Sequence, residues 1–139
     1  MMKICKKQIA CLFFKYNEDY FGGILPEPNF KIMHSVNTLG YFSYVIDGEF
    51  GPMETIEISD FYAYTPKQLR NLMVHEMIHY YLYYTDEDVR LKHGKEFKKM
   101  ARQLNKTYGL HVTPTFDISK MKPHPNASYL RKLIYKLVS

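Results

Sequence analysis

His75-Glu76-Met77-Ile78-His79 sets two imidazoles four residues apart with a carboxylate beside the first. On an α-helix that spacing puts both rings on one face, one turn above the other, where both can reach a single Zn²⁺. Glu76 projects in a neighbouring direction, from which it can meet water at the ion without being a ligand. Such an ion lowers the pKa of water it binds towards neutrality, and a carboxylate beside it can take the proton as that water attacks a peptide carbonyl. The chemistry implied is amide hydrolysis. A shuffled chain of the same composition would show HExxH roughly once in seventy, so the surrounding sequence has to decide.

A catalytic zinc takes three protein ligands and keeps one position open. His93 follows His79 after a turn and begins a basic helical stretch, which makes it the first candidate for the third ligand. Glu96, one turn further on, is the rival, because a His₂Glu set is equally good chemistry. His34, His111 and His124 have no motif around them and read as surface or packing residues. The tyrosines Tyr80, Tyr81, Tyr83 and Tyr84 read as core or rim packing rather than catalysis.

The elements that must position these groups can be drawn from periodicity. Thr65 is a good N-cap, Pro66 fits the first helical position, and Gln68 completes a capping box. Leu69, Leu72, Met73, Met77, Tyr80 and Tyr84 then cover one face until Asp86-Glu87-Asp88, which predicts a buried helix over 66–84 as the floor of a cleft. Two imidazoles and a carboxylate on such a helix would be costly without a shared partner. Upstream, Ile9, Leu12, Phe13, Tyr16 and Tyr20 predict a helix that Gly22-Gly23 stops. Residues 30–34, 41–46 and 55–59 read as strands of a small antiparallel sheet, separated by turn residues such as Asn37, Asp47-Gly48 and Gly51-Pro52. In the third strand Ile56 and Ile58 face inward and Glu57 outward, and this strand is the expected open edge to which an extended substrate could add. A basic amphipathic helix is predicted over 94–108, with Phe97, Met100, Ala101 and Leu104 on its apolar face and Gly109 at its end. Leu130, Leu133, Ile134 and Leu137 suggest a short final helix. The fold class expected is α+β, a small antiparallel or mixed sheet packed on the HExxH helix and flanking helices.

At 139 residues, with 46% apolar and 24% charged side chains, the chain fits one globular domain and neither a disordered nor a collagen-like one. The apolar run at 9–14 is too short for a membrane span or a secretory signal, so no membrane partner is expected. Cys5 and Cys11 form neither a disulfide framework nor a CxxC motif, which suits the cytoplasm. Residues 1–60 hold 5 basic against 8 acidic side chains, whereas 61–139 hold 14 against 6. That basic half makes DNA a candidate partner, with a solvated surface as the plain alternative.

The stretch His75-Glu76-Met77-Ile78-His79 followed by His93-Gly94-Lys95-Glu96-Phe97 resembles the HExxH…HGxxF pattern of the SprT-like zinc metalloproteases. Asn17-Glu18-Asp19-Tyr20-Phe21-Gly22-Gly23 with Leu25-Pro26 is similar to the family's segment between first helix and sheet, and Leu39-Gly40-Tyr41-Phe42 with Ile56-Glu57-Ile58-Ser59 to its strands. The resemblance covers residues 7–108 and leaves 109–139 as a basic extension. It implies a zincin-like endopeptidase whose zinc ligands are His75, His79 and His93, favouring His93 over Glu96, with Glu76 as catalytic glutamate. Many members carry a C-terminal zinc ribbon of paired cysteines. Both cysteines here are N-terminal, so one Zn²⁺ is expected, and DNA contacts would fall to the basic runs 92–106 and 120–136. The alternative is a DNA- or protein-binding module that keeps a zinc site with little or no turnover.

Overall fold

The computed structural model describes residues 3–45, 53–85 and 93–138. Its elements run α1 (Lys6–Tyr20), β1 (Asn29–Met33), β2 (Gly40–Tyr44), β3 (Glu54–Ser59), α2 (Pro66–Tyr84), α3 (Lys95–Tyr108), a 3₁₀ turn (Ile118–Lys120) and α4 (Tyr129–Val138). Helix α1 buries Ile9, Phe13 and Tyr16 on one face, as their spacing predicts. It ends where the N–H groups of Phe21 and Gly23 both turn back to the Asn17 carbonyl, at 3.0 and 2.8 Å. Gly22 and Gly23 have φ of 65° and 68°, a left-handed conformation open to glycine at no steric cost. The buried Asn17 amide then holds both backbone groups of Leu25, at 2.9 and 3.2 Å, and so directs the chain towards the sheet.

The sheet is mixed, in the order β1-β3-β2, with β1 parallel and β2 antiparallel to β3. The expectation of an antiparallel sheet with 55–59 at its open edge is corrected. β3 is the central strand, with Ile56 paired to Phe30 on one side and to Phe42 on the other. Period-two alternation reports which face of a strand is buried, here the fully buried Ile56 and Ile58, but not which strands lie beside it. The edge strands are β1 and β2. Residues 46–52, which include the turn residues Asp47-Gly48 and Gly51-Pro52, lie outside the described residues, as does the acidic cluster at 86–88.

Helix α2 begins with the expected capping box: the Gln68 N–H donates to Thr65 Oγ1 at 3.1 Å, and the Thr65 N–H donates to Gln68 Oε1 at 2.8 Å. Leu72, Met73, Val74, Met77 and Ile78 are buried to 1% exposure or less, so the helix is core on most of its circumference; Tyr84, expected on its apolar face, is instead exposed. It packs against β2 through Phe42 on Tyr80 and Tyr44 on Tyr83, with ring centroids 5.1 and 4.2 Å apart. Helix α3 buries Phe97, Ala101 and Leu104 and stops at Gly109, φ 69°. The final helix forms, but Leu133, Ile134 and Leu137 point outward. Tyr135 anchors it, donating to the Met121 carbonyl and packing on Phe61 and Tyr62. Among the described residues no helix is long and apolar enough to cross a membrane.

Candidate metal centre

The 3.6-residue repeat of α2 carries His75 and His79 to one side, both buried, with ring centroids 5.1 Å apart. His93 stands just before α3, and its ring lies 4.9 Å from that of His75 and 4.8 Å from that of His79. Its Nε2 is 3.0 Å from His75 Nε2. One ligand atom from each of the three lies within 4.8 Å of the others, so the trio could hold a metal ion. Phe97 sits about as close to all three rings, 4.8 Å from His75 and His79 and 5.0 Å from His93, and gives the cluster an apolar backing. Glu96 is exposed and lines a different hollow with Lys95, Lys99 and Gln103. Among the described residues the structure thus gathers His93, not Glu96, with the HExxH histidines.

His75 is oriented from outside α2. Its Nδ1 donates to the Thr113 carbonyl at 2.7 Å, which leaves the Nε2 lone pair turned to the shared centre. Thr113 is held in turn by its neighbour Val112, whose N–H and C=O both bond the Asn105 amide at 2.9 Å. Sequence reasoning missed both Asn105 and Thr113. A backbone carbonyl leaves no trace in residue type, and an Asn near a helix end reads first as a cap.

The donor set fits a cation. His79 Nδ1 is buried with no hydrogen-bond partner among the described residues, a cost that a shared ligand would offset. Burial, aided by the neighbouring imidazoles, pushes His75 down to about 3 against the pull of the Thr113 carbonyl. Burial and His93 push His79 to about 4, and burial also lowers His93. All three rings are therefore neutral near pH 7, the form in which imidazole ligates.

Glu76 is 4% exposed, and burial pushes it up to about 8. A cation beside it would favour the charged form. Its carboxylate lies directly under β2. A Cβ on Gly40 would come within 2.8 Å of Glu76 Oε2 and 2.9 Å of Leu72 Cδ1, so a side chain at this position would have to displace the carboxylate. Gly40, Tyr41 and Phe42 of β2 and Glu76 and the three histidines line a hollow of about 300 Å³.

The remaining candidates lie elsewhere. Tyr80 donates to the Pro26 carbonyl at 2.8 Å, Tyr83 donates to Glu54 at 3.4 Å, and none of the four clustered tyrosines lines the hollow. His34 faces Asp60 at 2.6 Å on the surface, His111 is exposed, and buried His124 accepts the Asn126 N–H at 3.1 Å.

The SprT-like family model matches residues 9–117, a span that runs past the expected end at 108 and takes in Thr113. The chain is 33% identical over 109 residues, 76% of its length, to the DNA-dependent metalloprotease SPRTN of Homo sapiens. The match spans 22% of that protein's length.

Proposed function

The chain belongs to the SprT-like family, and from that premise we propose that it is a zinc-dependent endopeptidase with Glu76 as general base, acting on DNA-associated proteins. The observation that carries this reading is the convergence of three imidazoles and one buried carboxylate on a single hollow beneath an edge strand. His75, His79 and His93 would hold the ion. Zn²⁺ bound there would supply a Lewis acid that acidifies water and polarises the scissile carbonyl. Glu76 would take the proton of the attacking water on its carboxylate and return it to the leaving amine. Thr113 and Asn105 would hold His75 in the productive tautomer. The outer edge of β2, which pairs with no strand among the described residues, would in place of the β3 edge expected from sequence bind an extended peptide through backbone hydrogen bonds that demand little of its sequence.

In this reading the architecture is zincin-like, a sheet edge over an HExxH helix, and residues 1–139 form one domain with a basic extension from 109. The face of α3 supports the DNA association: Lys95, Lys98, Lys99, Arg102 and Lys106 are all exposed on it. The name of the human relative, a DNA-dependent metalloprotease, points the same way. The free, exposed thiols of Cys5 and Cys11 suit a reducing compartment, the cytoplasm.

Metal analysis of the purified protein should find one zinc per chain. Glu76→Gln should keep zinc and fold yet lose cleavage of an unfolded or DNA-bound protein by roughly 10²–10⁴-fold, the usual worth of a general base. A zinc-loaded wild type that cleaves no protein, with or without DNA, would leave a binding module instead. DNA affinity should fall steeply with added salt, and a flat salt response removes the nucleic acid from the proposal.

A further inference from the structure

Beside the histidine hollow lies a second cavity of about 100 Å³, on the side of α2 towards its N-terminus. Its apolar walls come from Leu39, Leu72, Phe116 and Met121, and Asn71 and Thr113 add polar groups. Three contacts tie it to the site. Leu39 immediately precedes Gly40, the point at which β2 meets Glu76. Leu72 Cδ1 abuts the same glycine, 2.9 Å from where its Cβ would stand. Phe116 packs its ring 5.1 Å from that of His75, in the segment whose Thr113 carbonyl holds His75 Nδ1.

A strand advances about 3.3 Å per residue, so a peptide laid along β2 with its scissile bond over Glu76 brings an adjacent side chain to the Leu39 end. We propose that this cavity receives the side chain of a substrate residue flanking the scissile bond and selects an unbranched or γ-branched apolar one, of leucine or methionine size. The inference rests on the peptidase reading and deepens it. A cavity of about 150 Å³ takes benzene, so this smaller one suits an aliphatic chain and excludes an indole. Among the described residues no Asp, Glu, Lys or Arg lines it, and His111 with Gln68 adds only neutral-capable polar groups at its wall, so a charged side chain would lose water there with no carboxylate, ammonium or guanidinium to pair it. Backbone pairing on β2 then supplies sequence-independent affinity, and this cavity supplies the preference.

The test compares peptides that differ only at the residues flanking one cleavage site, using the zinc-loaded full chain. Leucine at the selected position should raise kcat/KM about tenfold or more over glycine or lysine. Met121→Ala, which widens the cavity, should move the optimum from leucine towards phenylalanine, and Met121→Phe should favour glycine or alanine. These ratios are internal to one preparation, so partial unfolding of a variant does not alter them. Independently of turnover, N-acetyl-leucine amide added to the metal-free protein should shift the Leu39, Leu72 and Met121 methyl resonances, while N-acetyl-glycine amide should not. Cleavage indifferent to both flanking residues overturns the pocket and leaves the peptidase reading standing. If nothing is cleaved, the peptidase reading fails and the assignment of this cavity to a flanking substrate residue falls with it; absent methyl shifts overturn the pocket on their own.

Discussion

Gly40 has no functional group, yet it sets where Glu76 can hold its carboxylate, because a methyl group there would stand 2.8 Å from Oε2. Gly40→Ala should push that carboxylate out of line while leaving the three imidazoles in place. The expected result is zinc retained, KM for a peptide little changed, and kcat lowered on the order of a hundredfold, the cost of about an ångström of misplacement. Full kcat in this variant would mean that the carboxylate has room to spare. The proposed third ligand is separable in the same way: His93→Ala should lose zinc on dialysis, and Glu96→Ala, altering an exposed side chain in another hollow, should keep it. Atomic absorption on the dialysed proteins reads both. HExxH is legible in one dimension because its geometry is that of a single helix. The need for glycine at position 40 is not, since it arises from the gap between a strand and a helix that only the folded chain brings together.

Elements show the same division between local and distant causes. The capping box of α2, the Gly109 stop of α3 and the inward alternation of Ile56 and Ile58 are short-range features and match the sequence reading. Strand order is a long-range feature. β1 and β3 pair in parallel although β2 lies between them in the chain, and no spacing within any one strand encodes that choice. The segment after α3 is a further case, because its task is to bring the Thr113 carbonyl to His75 and its anchor is the Asn105 amide. Asn105→Ala would leave both backbone groups of Val112 without partners at a buried residue, a cost of about 1–3 kcal/mol for each group that water does not reach. Beyond lower stability, the variant should bind zinc some 10–100-fold more weakly, as when other outer partners of a ligand histidine are removed. Urea denaturation of the metal-free form and competition with a chelator measure the two effects separately. Weakened stability with unchanged zinc affinity would show that α3 merely braces the loop and does not orient the imidazole.

Across the whole molecule aromatic rings are abundant: the chain has 13 Tyr and 9 Phe and no Trp. Composition announces the rings but not their hydroxyl partners, which are backbone carbonyls, for Tyr62 and Tyr80 distant in sequence. Tyr62 donates to Val36, Tyr64 to Ser59 and Tyr80 to Pro26. Burial pushes Tyr62 up to about 12, and it drives Tyr64 and Tyr80 higher still. In the unfolded chain these rings ionise near pH 10, so above that pH the unfolded state binds fewer protons than the folded one and stability falls as pH rises. The stabilisation is complete below about pH 10 and is lost through pH 12 and beyond, at up to about 1.4 kcal/mol per pH unit for each ring that ionises only on unfolding. Urea midpoints of the metal-free protein, once past the titration of Glu76 near 8, should therefore change little around pH 9 and drop sharply by pH 11. Tyr62→Phe removes one of the three groups, so it should lower stability at neutral pH by about 1 kcal/mol of lost hydrogen bonding and flatten the alkaline decline. A variant whose alkaline decline is as steep as that of the wild type would mean that Tyr62 ionises as readily folded as unfolded.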